Sequence, residues 1–188
     1  LSVQLKKSNE NQSMSRIIKE KIRTVPHWPI PGVMFRDITT LIEDAEGFKH
    51  TCDLLHERYK DMDIQKVVGI DARGFIFGSV LAYLLGIGFV PVRKKGKLPH
   101  TTIEETYELE YGEAVVELHE DAINEGERVV IVDDLIATGG TMVAATKLVE
   151  RLKGKIVELA FVIELVDLGG REKLKQYELF VLVEYEGE

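Results

Sequence analysis

The segment from Arg128 to Val132, which is apolar without interruption after its first residue, constrains the fold of this chain more than any other stretch of its sequence. A strand that is buried on one face alternates apolar with polar residues, whereas a strand buried on both faces is apolar throughout. The segment therefore predicts a central strand of a parallel sheet that is covered by helices on both sides.

Strand and helix patterns alternate along the rest of the chain, according to the spacing of its apolar residues. The predicted helices span residues 15–25, 44–60, 75–85, 142–152 and 170–176. The predicted strands span residues 66–70, 88–92, 128–132, 156–165 and 179–183, and residues 106–109 and 113–118 form a hairpin. Pro91 places strand 88–92 at a sheet edge or puts the proline in its last turn. This order predicts an α/β fold with an open, mostly parallel twisted sheet and helices on both faces.

Composition limits the kind of protein that this can be. The 188 residues fit one domain, and residues 14–188 are predicted to form it, because residues 1–13 are polar, lack core periodicity and are expected to be a disordered extension. A net charge of −8 argues against a nucleic-acid-binding surface. No apolar run approaches the roughly 18 to 20 residues that span a membrane. One cysteine and no visible signal peptide make the cytoplasm the expected location.

Two acids and a loop of small residues follow the central strand. Asp133 and Asp134 come first, and the loop from Ala137 to Thr141 then leads into a helix. The glycines let successive backbone N–H groups turn toward one anion, and the helix N-terminus adds positive charge. Adjacent carboxylates beside a phosphate need donors such as the hydroxyls of a sugar. A strand-end turn can also contain two acids, and Thr138 or Thr141 can serve simply as a helix cap.

The string from Val129 to Thr141 resembles the phosphoribosyl-diphosphate signature of the type I phosphoribosyltransferases. Motifs of nucleoside triphosphatases and dinucleotide-binding folds are absent from it. The resemblance implies that Asp133 and Asp134 bind the ribose hydroxyls. It further implies that the 5′-phosphate is bound by Ala137, Thr138, Gly139, Gly140 and Thr141. It also implies a small N-terminal hood and a flexible β-hairpin lid around the main sheet.

Four further segments resemble the adenine-specific members of that family. They are residues 31–37, 71–75, 92–99 and 107–112, in that order along the chain. The resemblance implies that Met34, Phe35 and Arg36 bind adenine and that Leu165 packs on the other face of the base. An aromatic ring stacks well on a purine, although Phe35 and Leu165 are equally suited to a hydrophobic core.

A second anion site is predicted where the segment Asp71-Ala72-Arg73-Gly74 follows a strand and opens a helix. The resemblance implies that this segment binds pyrophosphate, with Arg73 as a cationic clamp and a cis peptide bond between Asp71 and Ala72. The nearby basic residues Arg93, Lys94, Lys95 and Lys97 add positive charge, with Arg93, Lys94 and Lys97 predicted to bind pyrophosphate. A run of this kind is also typical of a solvated surface.

The hairpin is predicted to be a lid that excludes water from the substrates. By the resemblance, Glu110 is the catalytic residue, because it approaches the imidazole of the purine and assists proton transfer at N7 or N9, and Tyr111 belongs to the lid. Mg²⁺ is expected as the cofactor, held mainly by phosphoribosyl diphosphate and water rather than by a protein metal cage.

The implied reaction joins adenine to phosphoribosyl diphosphate and yields AMP and pyrophosphate, in an enzyme that forms a homodimer and has neither nucleic-acid nor membrane partners. Three alternatives stay open. A phosphoribosyltransferase for 6-oxopurines or orotate shares the ribose-phosphate loop, although the segments around Phe35 and Glu110 fit adenine better. A non-catalytic sensor of phosphoribosyl diphosphate is expected to carry a basic or nucleic-acid-binding part. A diphosphokinase that makes phosphoribosyl diphosphate is usually longer and needs an ATP site.

Overall fold

The computed structural model describes residues 15–108 and 112–187, and within them a seven-stranded sheet forms the centre of the fold. Its strands lie in the order β5-β6-β4-β3-β7-β8-β9. Their bounds are β3 Lys66–Ile70, β4 Gly88–Lys94, β5 Thr102–Glu108, β6 Glu113–His119, β7 Arg128–Ile136, β8 Lys155–Leu165 and β9 Leu179–Tyr185. The five neighbouring strands β4, β3, β7, β8 and β9 are parallel to one another. Strands β6 and β5 form an antiparallel hairpin, and β6 pairs with β4.

Helices cover both faces of the sheet. They are α1 at residues 15–21, α2 Thr39–Glu43, α3 Ala45–Tyr59, α4 Arg73–Leu85, α5 Gly140–Arg151 and α6 Gly170–Lys173. A second, two-stranded antiparallel sheet consists of β1 Arg23–Pro26 and β2 Met34–Asp37. The predicted α/β fold with a mostly parallel sheet is therefore confirmed.

The central strand β7 is buried on both faces, as its apolar sequence predicts. Val130 and Val132 pack into one hydrophobic cluster with α4, and Val129 and Ile131 pack into the other cluster with α5. All four of these valine and isoleucine side chains are fully buried. Since β7 lies between β3 and β8, the loops that leave its carboxyl end open into the middle of one edge of the sheet.

Two predictions of local structure are wrong, and both reflect tertiary pairing that the local pattern does not contain. The first helix ends at residue 21, because residues 23–26 pair with β2 instead of continuing the helix. Strand β4 lies inside the sheet rather than at its edge. Pro91 is tolerated there because β6 pairs only with Arg93 and Lys94, so the proline has a strand neighbour on one side only.

Strand β7 extends to Ile136, four residues past its predicted end, because β8 continues to pair with it. Pairing with β3 ends at Val132, so the chain opens toward solvent on that side. The last predicted helix is shorter than expected and covers Gly170–Lys173. The predicted extension at residues 1–13 lies outside the described residues. Among the described helices, none has the length and apolar character needed to cross a membrane.

The N-terminal elements α1, β1 and β2 contact the carboxyl end of β9. The Lys19 Nζ donates to the Glu184 carbonyl oxygen at 2.7 Å, and the Arg36 guanidinium lies 4.2 Å from the centre of the Tyr185 ring. Within this unit, Asp37 accepts hydrogen bonds from the Thr39 hydroxyl at 2.5 Å and from Arg23 Nε at 3.1 Å. These bonds, the one from Thr39 first, lower the pKa of Asp37 to about 2.

Replacing Thr39 with valine removes the hydroxyl donor, and we expect the pKa of Asp37 to rise from about 2 toward its ordinary value. Arg23→Gln should also raise that pKa, because it removes the charge of the second partner. A carboxyl group with a lowered native pKa stabilises the fold above its unfolded-state pKa, and this stabilisation is lost as the pH falls through the native value. Both variants should therefore unfold at lower urea concentration at pH 7, with the difference shrinking toward pH 2.

Carboxyl-carbon NMR titration of Asp37 measures this effect directly. Arg16→Gln is the control, because the Arg16–Glu20 ion pair is exposed and remote from Asp37. An unchanged pKa of Asp37 in the Thr39→Val variant would show that the hydroxyl is not the main cause.

Candidate active site

Two helix N-termini point toward the same edge of the sheet. Helix α4 begins after Ala72 at the end of β3, and α5 begins after Gly139 at the end of β7. In neither helix does the cap residue make a side-chain hydrogen bond. The first backbone N–H groups of a helix lack partners within it and carry partial positive charge. The edge therefore presents two separate places where an anion can bind.

The two aspartates of β7 lie between these helix N-termini. The Asp134 carboxylate is buried and forms a salt bridge with Nε of Arg73, whose side chain is half exposed. The Asp134 backbone N–H donates to Asp133 Oδ1 at 2.9 Å. Burial, and then the negative charge of Asp134, raise the pKa of Asp133 well above its ordinary value. Asp134 thus has a cationic partner, whereas Asp133 is a carboxyl group that the surrounding protein disfavours in its charged form.

Two neighbouring cavities connect these groups. The larger, of about 370 Å³, is lined by Ile70, Asp71, Ala72, Arg73, Lys94, Tyr107, Asp133, Asp134, Leu135 and Thr141. The smaller, of about 110 Å³, is lined by Asp133, Leu135, Ile136, Ala137, Thr138, Gly139, Gly140, Thr141, Met142 and Phe161. Both linings contain Asp133, Leu135 and Thr141, so the cavities meet at the carboxyl end of β7. The predicted ribose and 5′-phosphate residues therefore lie together, with much of the pyrophosphate segment beside them.

Close backbone contact makes glycine necessary at the start of α4. A Cβ atom on Gly74 would lie 2.7 Å from the Val132 carbonyl oxygen and 2.9 Å from Asp133 Oδ1. The N-terminus of α4 is therefore pressed against β7 beside the carboxyl group of Asp133. The predicted cis peptide bond between Asp71 and Ala72, just before this helix, is confirmed.

The basic residues after β4 have different surroundings from one another. Lys94 lines the larger cavity, whereas Lys95 Nζ is 2.7 Å from Glu104 Oε2 on the hairpin. The Arg93 Nε lies 3.1 Å from Asp71 Oδ2, and its Nη1 donates to the Lys97 carbonyl oxygen at 3.2 Å. Arg93 therefore holds the pyrophosphate segment in place, and Lys94 is the member of the run that faces the cavity.

Sequence reasoning missed Glu117, the buried residue that orders this basic loop. One of its carboxylate oxygens accepts from the backbone N–H groups of Lys97 and Leu98, each at 2.8 Å. Burial alone raises the pKa of Glu117, but the N–H groups of Leu98, Gly96 and Lys97 outweigh it and the net pKa is lowered. The neighbouring residues Val116 and Leu118 are also buried, so no alternating pattern marks the glutamate in the sequence.

Tyr107 was also missed, because the sequence marked it only as a hairpin residue. It lines the larger cavity, and its Cδ2 lies 3.4 Å from where a Cβ on Gly140 would be. The base of the hairpin thus touches the start of α5. Residues 109–111 lie outside the described residues, so the predictions for Glu110 and Tyr111 stay predictions. The flanking residues Glu108 and Glu113 pair across the two strands.

The four residues predicted to bind adenine lie outside the linings of these two cavities. Met34, Phe35 and Arg36 are on β2, and Leu165 ends β8. Leu165 pairs in register with Tyr185, the residue that Arg36 covers. The rings of Phe35 and Trp28 pack in a T-shaped arrangement, with centroids 4.4 Å apart. The structure therefore places β2 near the carboxyl ends of β8 and β9, on the side of the sheet away from the β5–β6 hairpin.

Comparison with known proteins adds independent information. Residues 41–186 match the family model of the phosphoribosyl transferase domain. An adenine phosphoribosyltransferase of Desulfosudis oleivorans is 63% identical over 171 residues, which are 91% of this chain and 99% of that protein. The crystal structure of the adenine phosphoribosyltransferase of Thermoanaerobacter pseudethanolicus is 47% identical, with a TM-score of 0.87 over 91% of this chain and 99% of that one.

A second similar structure carries ligands. It is the adenine phosphoribosyltransferase of Saccharomyces cerevisiae in complex with an imino-altritol bisphosphate and adenine. That enzyme is 41% identical, with a TM-score of 0.86 over 92% of this chain and 99% of that one.

Replacing Asp133 with asparagine should make the protein more stable and less active. A carboxyl group with a higher pKa in the native than in the unfolded protein lowers the free energy of unfolding once it ionises. This loss of stability grows as the pH rises from the unfolded-state pKa to the native-state pKa. At pH 7 the substitution removes this cost, and we expect the melting midpoint to rise by about 2 to 4 °C, equivalent to about 1 kcal/mol. Loss of a charged acceptor at the point where the two cavities meet should also lower the affinity for a ligand that donates hydrogen bonds there by about tenfold or more.

Asp134→Asn is the matched control, because it removes the partner of Arg73 and should lower the melting midpoint. Differential scanning calorimetry at pH 7 measures both variants. Equal destabilisation by the two substitutions would contradict the assignment of different surroundings to the two carboxyl groups.

Proposed function

The chain belongs to the phosphoribosyltransferase family and, within it, to the adenine phosphoribosyltransferases, and from this membership we propose how its residues divide the reaction. The enzyme transfers the 5-phosphoribosyl group of phosphoribosyl diphosphate to N9 of adenine and releases AMP and pyrophosphate, a step of purine salvage. The observation that supports the roles we give to individual residues is the pair of cavities that meet at Asp133. Together they offer an anion site on each side of two carboxylates.

The groups of phosphoribosyl diphosphate follow the same order as these sites. The ribose, with its two hydroxyls, lies between a 5′-phosphate at one end and a diphosphate at the other. We assign the 5′-phosphate to the smaller cavity, where residues 138–141 lead into α5 and supply backbone N–H groups together with the hydroxyls of Thr138 and Thr141. The ribose hydroxyls then donate to Asp133 and Asp134 on β7. Donation by a hydroxyl adds to the hydrogen bond that Asp133 accepts from the Asp134 backbone N–H, and it favours the charged form of Asp133.

The pyrophosphate group belongs to the larger cavity. Its candidate partners there are the backbone of Ala72, the side chain of Lys94 and the part of the Arg73 guanidinium that Asp134 does not occupy. Arg93 supports the segment through Asp71, and Gly74 allows α4 to reach this position. Breaking the bond between C1 and the pyrophosphate oxygen gives the sugar oxocarbenium character and leaves negative charge on the leaving group. These cationic and N–H groups stabilise that charge where it develops.

We propose that Mg²⁺ enters with phosphoribosyl diphosphate and is held mainly by its oxygens and by water. In the described part of the chain, no three side chains of His, Cys, Asp or Glu cluster as metal ligands. The aspartates at the site suit this arrangement, because Asp134 and Asp71 are already paired with Arg73 and Arg93. When bound, the ion supplies further stabilisation of the leaving pyrophosphate.

Adenine is proposed to bind beside β2, between the ring of Phe35 and the side chain of Leu165. Trp28 packs against the Phe35 ring in a T-shaped arrangement, which restricts the orientation of the ring that we propose to stack on the base. Backbone groups near Met34 read the base, and Arg36 is fixed between the Thr24 hydroxyl, at 2.6 Å, and the Tyr185 ring. The yeast relative supports the choice of base, since its structure contains adenine.

A homodimer is proposed from the family resemblance. Helix α4 buries Phe77 and Leu81 against the sheet, whereas Tyr83 on its outer side is 83% exposed and Leu84 is partly exposed. An apolar outer face of this kind suits an interface. Light scattering after gel filtration should give a mass near twice 21.2 kDa, and a monomer mass would contradict the proposal.

The choice of base is tested by supplying phosphoribosyl diphosphate and Mg²⁺ with adenine, hypoxanthine, guanine or orotate. We expect kcat/KM for adenine to exceed that for each other base by at least about a hundredfold, because a site built to hydrogen-bond one base leaves polar groups unpaired with another. Turnover of hypoxanthine, guanine or orotate without turnover of adenine would contradict the proposed base site.

Glu110→Ala tests the catalytic role of the lid. If Glu110 moves a proton at the purine imidazole, kcat should fall by about a hundredfold to ten-thousandfold while KM values change little. Glu113→Ala is the control, because Glu113 begins the other strand of the same hairpin and is exposed. Unchanged kcat in the Glu110 variant would show that the acid–base group lies elsewhere.

A further inference from the structure

An ion pair with a buried carboxylate and a partly exposed guanidinium lies behind the loop that we assign to the 5′-phosphate. Glu164, next to last in β8, has a side chain that is 4% exposed. It receives two hydrogen bonds from Arg171 on α6, one from Nε to Oε1 at 2.9 Å and a second from Nη2 to Oε2. A two-point bond between guanidinium and carboxylate fixes orientation as well as distance. Arg171 therefore holds the short helix α6 in one position relative to the sheet.

The first residue of that helix touches the loop backbone to backbone. A Cβ on Gly170 would overlap the Ala137 carbonyl oxygen and would lie 3.0 Å from the Gly139 backbone nitrogen. In the other direction, a Cβ on Gly139 would lie 3.0 Å from the Gly170 carbonyl oxygen. Residues 137–139 thus rest directly on the start of α6, and neither glycine leaves room for a side chain.

We propose that Glu164, Arg171 and Gly170 are positioning residues that hold the loop at Ala137 to Thr141 in the geometry required for the 5′-phosphate. The inference rests on the proposed binding of that phosphate by this loop. A loop with two consecutive glycines has many conformations, and binding is weakened if most of them misplace the N–H groups. A rigid support behind the loop restricts it to the binding conformation and so avoids this loss of affinity. Arg171 donates from Nε and Nη2 to Glu164, so we assign it the role of holding α6 in place and not that of a phosphate ligand.

Gly170→Ala tests the contact between α6 and the loop. The added methyl group should displace the loop, weakening ribose 5-phosphate binding in calorimetry and raising KM for phosphoribosyl diphosphate by about tenfold to a hundredfold. KM for adenine should stay within about twofold of the parent value, a split that general loss of structure would not produce. Gly169→Asn is the matched control, because Gly169 is adjacent, has a φ of +66° that asparagine tolerates, and has open space around its Cβ position.

The ion pair is tested by the double variant Glu164→Gln/Arg171→Met, which removes both charges and leaves no unpaired buried ion. It should show the same selective loss of affinity for ribose 5-phosphate, and it also decides the question if Gly170→Ala does not fold. An affinity within about twofold of the parent in folded protein would overturn the inference.

A third variant separates this inference from the function on which it rests. Thr138→Val/Thr141→Val removes two hydroxyls from the loop itself and should weaken ribose 5-phosphate binding if the loop holds the phosphate. If this variant binds normally, the assignment of the loop is wrong. If it binds weakly and the α6 variants bind normally, the loop assignment stands and only the positioning role fails.

Discussion

Two adjacent carboxyl groups at the end of a strand that is buried on both faces create the constraint from which the site is built. Burial of a charged carboxylate is costly unless a cation or hydrogen-bond donors accompany it. Arg73 supplies a cation to Asp134, and the pKa of Asp133 is raised because burial and the charge of Asp134 act against its ionisation. We propose that a ligand with hydroxyls to donate, such as a phosphorylated ribose, meets this need at both carboxyl groups.

Close packing around β7 then fixes the position of the two helix N-termini that flank the aspartates. Gly74 brings the start of α4 against Val132 and Asp133, and Gly139 and Gly170 bring α6 against the loop that starts α5. Each of these approaches includes a contact to backbone atoms, so the distance between the two helix N-termini is set mainly by rigid elements rather than by flexible side chains. Catalysis of this kind depends on holding the reacting atoms in line, and small displacements are costly.

Local sequence was sufficient for most of this architecture and for the centre of the site. The apolar run before Asp133 predicted a doubly covered strand, and its pattern of buried residues is the one observed. Hydrogen bonds and ion pairs between residues that are far apart in the sequence could not be predicted from local patterns. Nothing near Glu117 marks it as the acceptor for the N–H groups of the 96–98 loop, and nothing near Glu164 marks its pairing with Arg171. The strand at Arg23–Pro26 was missed for the same reason, since its partner lies about ten residues further along.

A crystal structure of the enzyme with AMP, pyrophosphate and Mg²⁺ tests the arrangement most directly. We predict that the phosphate of AMP is enclosed by the backbone N–H groups of residues 138–141 and that its ribose hydroxyls donate to Asp133 and Asp134. Pyrophosphate should lie against Ala72 and Arg73. A complex in which the phosphate of AMP lies at the start of α4, or in which neither aspartate contacts the ribose, would contradict it.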